Sequence, residues 1–129
     1  MVVLKEFVLS LVFFIALDAA WFMLIASSFY KAHLGPLLRL TDGAVQPNWY
    51  AAACVYVLLA LGITFFVLGK SPVLLYGALF GLIVYGVYDF TNLALFRGWT
   101  LSVVLVDVAW GVVVCSLVAW LTTLVSARI

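Results

Sequence analysis

Charged residues are scarce in this sequence. Lys and Arg together number 6, Asp and Glu number 5, and the formal net charge is +1. Charged residues make up 9% of the chain and hydrophobic residues 69%, whereas soluble domains carry about 25% charged residues. This composition excludes an ordinary water-soluble domain, and the small net charge gives no electrostatic reason to expect nucleic acid as a partner.

Cysteine and histidine are also scarce, with two and one residues. Cys54 and Cys115 lie in apolar runs. If these runs form membrane-spanning helices, the two cysteines differ in depth by about 15 Å at the rise of an α-helix. That separation is too large for a disulfide within one subunit. His33 is the single histidine and lies in a predicted connection. These residues predict no metal site, and since no glycine-rich nucleotide motif is present, the sequence points to no particular cofactor.

Long apolar runs are the abundant feature. A membrane-spanning helix needs roughly 20 apolar residues, and the chain offers four such runs, at residues 7–29, 49–68, 73–96 and 101–124. They predict an all-α membrane protein, a four-transmembrane-helix bundle of up-down-up-down topology, formed by a single integral membrane domain over residues 1–129. Its first partner is therefore the lipid bilayer.

The three connections between these runs differ in length. Those after the second and third runs are so short that the helices they join must be antiparallel neighbours. The first connection, residues 30–48, is longer, and its stretch Leu34–Leu40 is predicted to form a short helix in the membrane interface. Loops of this length often carry function, although a simple tether is an equally good interpretation.

Positive charge is divided almost equally between the two predicted sides, so the positive-inside rule gives no orientation. A balance of this kind is typical of dual-topology proteins that form antiparallel homodimers, and six charges also produce it by chance. The two groups are Lys5, Lys70 and Arg128 on one side, and Lys31, Arg39 and Arg97 on the other.

Three aspartates interrupt the apolar runs: Asp18, Asp89 and Asp107. Each opposes insertion by roughly 2.5–3.5 kcal/mol at a helix centre, so such residues usually face the interior of the bundle. Measured from the side of the long connection at the rise of an α-helix, Asp18 lies about 16 Å deep and the other two about 10 Å deep. We therefore expect the three carboxyl groups to converge in one half of the membrane.

The third run carries a stripe of small and polar residues at helical spacing. It consists of Gly77, Gly81, Tyr85, Asp89 and Asn92. The glycines would allow a neighbouring helix to approach closely at one end, while polar groups gather at the other. The polar end of this stripe is the strongest candidate for a functional site.

The first and fourth runs share a short pattern, in which Trp21 follows Asp18 and Trp110 follows Asp107 by three residues. An indole then lies one turn from each carboxyl group, where its N–H can bind a carboxylate and its ring can line a pocket. Other aromatic residues near the helix ends are predicted to belong to an interfacial belt: Tyr30, Trp49 and Trp99.

No Lys or Arg lies inside a predicted helix, so the aspartates lack a buried counter-charge. Arg97 comes nearest, and its long side chain is predicted to reach inward toward Asp89 or Asp107. Because one arginine cannot serve three carboxylates, burial and mutual repulsion predict that the cluster retains a proton or binds a cation.

Several motifs resemble a family of small bacterial membrane proteins, catalogued as domain of unknown function 2177. They are Leu17–Trp21, Pro47–Trp49, Tyr85–Ala94, Gly98-Trp99 and Val106–Gly111. The similarity covers nearly the whole chain. It implies a multi-pass protein of the bacterial inner membrane, and it leaves the function to be inferred from the residues.

Three functions fit these observations. The first is proton- or cation-coupled transport of a small solute, or ion binding, at the aspartates. The second is a membrane-embedded enzyme, or an enzyme partner, acting on a lipid or isoprenoid with an aspartate as general acid or base. In the third, the protein is a structural membrane subunit whose polar residues only join helices. A water-lined path to the aspartates would favour the first, and a lipid-shaped groove the second.

Overall fold

The computed structural model describes all 129 residues, most of them in helices. The elements follow one another along the chain with short connections. They are α1 (Val2–Trp21), a π-helical segment (Phe22–Ala26), α2 (Ser27–Leu34), a 3-10 turn (Gly35–Leu37), β1 (Leu40–Thr41), β2 (Ala44–Val45), α3 (Trp49–Phe66), α4 (Val73–Leu95) and α5 (Leu101–Arg128).

Four helical segments are long and apolar enough to cross a membrane, which confirms the predicted all-α bundle. They are Val2–Leu37, Trp49–Phe66, Val73–Leu95 and Leu101–Arg128. The first and last extend beyond the predicted ranges 7–29 and 101–124. The two extensions are joined by a hydrogen bond, in which Lys5 Nζ donates to the backbone carbonyl of Ser126 at 3.0 Å. This bond satisfies an acceptor near the carboxyl end of α5 that has no partner within the helix.

Two helices begin at side-chain caps. The Asn48 side chain accepts a hydrogen bond from the backbone N–H of Ala51, and the Thr100 hydroxyl accepts one from the N–H of Val103. Each cap satisfies a backbone donor that has no partner within its helix. These caps fix where α3 and α5 begin, at the end of the bundle that carries the long connection.

The first and last membrane-spanning helices pack antiparallel across the centre of the bundle. Ser10 and Thr122 are both fully buried, and their hydroxyl groups lie 3.2 Å apart. Helix α1 also packs on α3, and α5 packs along most of α4. The order around the bundle is therefore α3, α1, α5, α4.

The fourth side of the bundle, between α3 and α4, closes only near their short connection. A Cβ on Gly62 of α3 would lie 2.3 Å from the Phe80 ring of α4, so the two helices meet there. Farther from the connection they separate. Leu58 on α3 and Val84 on α4 have exposed fractions of 66% and 36%, so this side stays open in the half of the bundle nearer the long connection.

The hydrophobic core fills the opposite half, where all four spans are in contact. Its largest fully buried members are Phe14, Ile63, Val67, Val114 and Val118. The bundle is thus tightly packed at one end and splayed at the other, and the aspartates lie in the splayed half.

Close packing of α4 on α5 depends on glycine. A Cβ on Gly81 would lie 2.1 Å from the carbonyl oxygen of Gly111, and one on Gly77 would lie 2.7 Å from the Cα of Ser116. This is the close approach predicted from the glycine stripe of α4. It holds the polar end of that stripe against α5.

We expect Gly81→Ala to lower the free energy of unfolding by about 1–3 kcal/mol, because the added methyl group would force two helix backbones apart. The measurement is thermal or denaturant unfolding of the detergent-solubilised protein. Gly86→Ala in the same helix is the matched control, since no atom of another helix lies within 4 Å of its added Cβ. The control should match or exceed wild-type stability, because Ala favours helix by about 1 kcal/mol over Gly. Equal loss in both variants would contradict this packing.

The long connection differs from its prediction. The helix expected at Leu34–Leu40 is wrong, because α2 ends at Leu34 and only one 3-10 turn follows. The chain then forms a β-hairpin from the two-residue strands β1 and β2. Its turn contains Asp42 and Gly43, both with positive φ. Pro36 in the 3-10 turn lacks an N–H and cannot continue α2.

Candidate functional site: a carboxyl-lined cavity within the bundle

Asp18 joins three helices. Its Oδ1 accepts a hydrogen bond from Trp110 Nε1 of α5 at 2.8 Å, and its Oδ2 accepts one from the Tyr56 hydroxyl of α3. Two donors satisfy much of the hydrogen-bonding capacity of a carboxylate removed from water. Asp18 is therefore held in place at the wall of the bundle interior.

The tryptophans of the repeated pattern meet across the bundle. The Trp21 and Trp110 rings stack with centroids 4.6 Å apart and planes inclined by 5°. The sequence predicts each indole beside the aspartate of its own helix, whereas Trp110 binds the aspartate of the other helix. Trp21 Nε1 is buried without a hydrogen-bond partner, so one donor remains free in this wall.

Asp107 accepts a hydrogen bond from the Tyr30 hydroxyl of α2. Tyr30, which was predicted only as a member of the interfacial belt, therefore also takes part in the carboxyl cluster. In a continuous α-helix Tyr30 would point about 120° away from Asp18, because each residue turns the helix by about 100°.

The π-helical segment corrects that direction. The N–H of Ser27 bonds to the carbonyl of Phe22, five residues earlier. One such bulge adds a residue to the turn and offsets the following helix by about 100°. Tyr30 therefore turns back to the face of Asp18 and reaches Asp107.

Asp89 has the most unusual environment of the three. Its side chain is fully buried, and neither carboxyl oxygen accepts a hydrogen bond. Asp107 is a neighbouring carboxyl group, and the indole of Trp99 is also nearby, with a buried Nε1 that lacks a partner. Two carboxyl groups can bond to each other only when one of them carries a proton.

A cavity of about 440 Å³ lies between the membrane-spanning helices, with Asp18 and Asp107 in its wall. Ten of its twelve lining residues are hydrophobic, so its polar chemistry is concentrated at the two carboxyl groups. Its other lining residues are Trp21, Phe22, Tyr30, Val55, Leu58, Leu59, Val84, Tyr85, Tyr88 and Trp110.

A second cavity of about 180 Å³ lies toward the long connection, lined by residues that include Leu34, Leu38 and Trp99. Three residues belong to both cavities: Tyr30, Tyr88 and Asp107. The hydrogen bond between Tyr30 and Asp107 therefore stands at the boundary between the two.

The remaining candidate residues occupy different positions. Tyr85 lines the larger cavity and covers Gly111, whose added Cβ would lie 2.2 Å from its ring. Asn92 is half-buried and lines neither cavity. Arg97 is exposed, and the ion pair predicted for it is not formed, because the chain leaves α4 in an extended conformation at Phe96.

No basic side chain lines either cavity. The carboxyl groups are surrounded by four tyrosines on three helices: Tyr30 on α2, Tyr56 on α3, and Tyr85 and Tyr88 on α4. A tyrosine hydroxyl donates a hydrogen bond but supplies no positive charge. The site is consequently a set of acids within a low-dielectric wall of aromatic rings.

Sequence reasoning missed Tyr56 as a donor to Asp18 and Tyr88 as a lining residue. Tyr88 could have been identified from its position directly before Asp89 in the sequence. Tyr56 lies in an apolar run that contains no charged residue, so only the contact between α1 and α3 reveals it.

The fold and the cavity define a four-helix membrane protein with acidic groups inside the bundle. The family model described as "Predicted membrane protein (DUF2177)" matches residues 3–124, and the chain belongs to this family. No curated protein and no solved structure matches the chain at a significant level.

Proposed function

We propose that the protein binds a proton and a small solute or cation at its intramembrane carboxyl groups, and couples their movement across the membrane. The observation that carries this proposal is Asp89, which is fully buried beside Asp107 without a donor for either oxygen. An ionised carboxylate in such a place is strongly disfavoured unless a proton or cation accompanies it.

Proton sharing between Asp89 and Asp107 satisfies both groups. The protonated carboxyl donates to the ionised one, and the pair then carries a single negative charge. A cation arriving at Asp107 from the larger cavity would stabilise the second charge and release the proton. Exchange of this kind is the basis of coupled transport in membrane proteins.

The position of Tyr30 links this exchange to the passage between the two cavities. Its hydroxyl donates to Asp107 at the boundary between the two cavities. A cation that neutralises Asp107 competes for the same oxygen atoms and weakens the bond to Tyr30. Separation of Tyr30 from Asp107 would then connect the larger cavity with the smaller one, toward the end of the bundle.

The sequence also bears on where the protein lies and how it assembles. The family resemblance supports a place in the bacterial inner membrane. The basic residues fall equally at the two ends of the bundle, which supports insertion in both orientations and an antiparallel homodimer. In that dimer, the two carboxyl cavities would face opposite sides of the membrane.

A second candidate is an enzyme, or enzyme partner, that acts on a lipid or isoprenoid. The observation that favours it is the open side between α3 and α4, where Leu58 and Val84 line the cavity and are exposed. A lipid chain could pass there to reach Asp18 or Asp107. The cavity walls contain no serine, cysteine or histidine, so such chemistry would depend on the carboxyl groups as acid and base.

We expect infrared titration to detect a protonated carboxyl group at neutral pH in the purified protein. Its C=O band should disappear as the pH is raised above neutrality, because alkali removes the single proton that Asp89 and Asp107 share. Asp89→Asn should remove or shift the band, and Asp42→Asn in the exposed hairpin turn should leave it unchanged.

If all carboxyl groups are ionised at about pH 6, and the Asn variants of Asp18, Asp89 and Asp107 fold and insert like the wild type, the cluster carries no proton. The protein would then be a structural or partner-binding membrane subunit.

A further inference from the structure

We propose that the larger cavity binds a hydrophobic organic cation that enters from the bilayer between α3 and α4. This inference rests on the proposed function, because it names the ligand that would exchange with the proton. It depends on three properties of the cavity: its size and apolar wall, its charge, and the place where it opens.

The size and the wall suit a compact organic molecule. Small-molecule sites usually enclose about 300–1,000 Å³ and are lined mainly by hydrophobic and aromatic side chains. The cavity, at about 440 Å³, lies within that range, and all but two of its twelve lining residues are hydrophobic. A bare metal ion or a small sugar would leave most of this surface without a complementary partner.

The charge selects a cation. Asp18 and Asp107 are the only charged residues in the wall, and the buried Asp89 is a neighbour of Asp107. No lysine, arginine or histidine lines the cavity, so an anion would meet repulsion without a compensating partner.

Aromatic rings strengthen the same preference. The stacked Trp21 and Trp110 stand beside Asp18, and Tyr85 and Tyr88 line the α4 side. Aromatic faces attract cations within about 6 Å, most strongly when water is excluded. Such a wall accommodates a cation whose charge is spread over an apolar body and that has few hydrogen-bond donors.

The opening between α3 and α4 sets the route. Val55 and Leu58 on α3, and Val84 and Tyr88 on α4, line the cavity and are 36–66% exposed. The two helices pack closely only near Gly62, at the other end. A hydrophobic cation dissolved in the bilayer therefore reaches the carboxyl groups without crossing the polar end of the bundle.

The test is equilibrium binding of radiolabelled tetraphenylphosphonium to the protein in lipid nanodiscs, with empty nanodiscs subtracted. Tetraphenylborate has nearly the same shape and the opposite charge, so it is the matched control ligand. We expect saturable binding of the cation at one site per chain, and no saturable binding of the anion. Equal binding of the two ions, or no saturable cation binding, would overturn the proposal.

Variants locate the site. Asp18→Asn and Asp107→Asn should each weaken cation binding about tenfold or more, through loss of a charge in a low-dielectric wall. Asp42→Asn, the same chemical change outside the cavity, should not. Size exclusion and helical circular dichroism establish that each variant is folded, and unchanged affinity in both folded cavity variants would contradict the proposed site.

Leu58→Trp tests the opening itself and does not alter the carboxyl groups. A larger ring at this exposed position of the cavity wall should slow or prevent binding, whereas Leu74→Trp, at an exposed position of α4 outside the cavity, should leave it unchanged. Equal effects of these variants would contradict access between α3 and α4.

The infrared titration separates the two proposals. A protonated Asp89 without cation binding means that the ligand class is wrong and that proton binding stands. Cation binding without any protonated carboxyl group means that the cavity is a cation site and that the proposed exchange fails.

Discussion

Asp18→Leu is expected to lower the free energy of unfolding by about 2–5 kcal/mol in detergent. Asp18 accepts hydrogen bonds from Trp110 and Tyr56, and Leu would leave both donors without an acceptor. A buried donor without a partner costs about 1–3 kcal/mol. Asp18→Asn retains one carbonyl acceptor and should show a smaller loss.

Asp89→Asn is expected to act in the opposite direction. Asp89 has no donor in the wild type, and the Asn amide would donate a hydrogen bond to Asp107 without adding charge. At neutral pH the unfolded chain carries Asp89 ionised, so folding must either bury that charge or bind a proton, and Asn avoids both costs. We therefore expect the free energy of unfolding to rise by about 1 kcal/mol or more.

Denaturant unfolding of the two variants, measured with Asp42→Asn beside them, decides the comparison. Opposite signs for Asp18 and Asp89 would show that the first carboxyl group stabilises the bundle and that the second is retained at the expense of stability. Destabilisation of similar size in both would identify the whole cluster as structural.

The four membrane spans could be predicted from the sequence because apolar length alone determines them. Twenty or so residues without charge have few alternatives in a bilayer, since every backbone polar group must be satisfied within the helix. The close packing of α4 on α5 could also be anticipated, because Gly77 and Gly81 lie at the spacing that small interhelical residues share.

The partners of the aspartates could not be predicted, because they depend on helix direction and on the neighbours of each helix. Tyr30 reaches Asp107 only through the π-helical bulge at Phe22–Ala26. No pattern in that apolar segment announces a bulge, and a continuous helix would direct the tyrosine elsewhere. Trp110 likewise binds Asp18 because α1 and α5 are antiparallel neighbours in space, although α3 and α4 lie between them in the sequence.

The separation of α3 from α4 could not be predicted from the sequence either. A short connection requires that two helices begin as antiparallel neighbours, but it does not hold them together along their length. Here Gly62 and Phe80 pack near the connection, while farther away the packing of α3 on α1 and of α4 on α5 draws them apart. The cavity is a consequence of that geometry, and hydropathy carries no information about it.

A bound cation should displace the proton of the carboxyl cluster, and both events can be measured in one experiment. Infrared difference spectra should be recorded near neutral pH as tetraphenylphosphonium is added, with the bound radiolabel counted in the same samples. We predict that the C=O band of the protonated carboxyl group decreases in proportion to the bound cation, and that Asp89→Asn shows no such decrease. A site saturated with cation while the band stays at full intensity would contradict the exchange of proton for cation at Asp89 and Asp107.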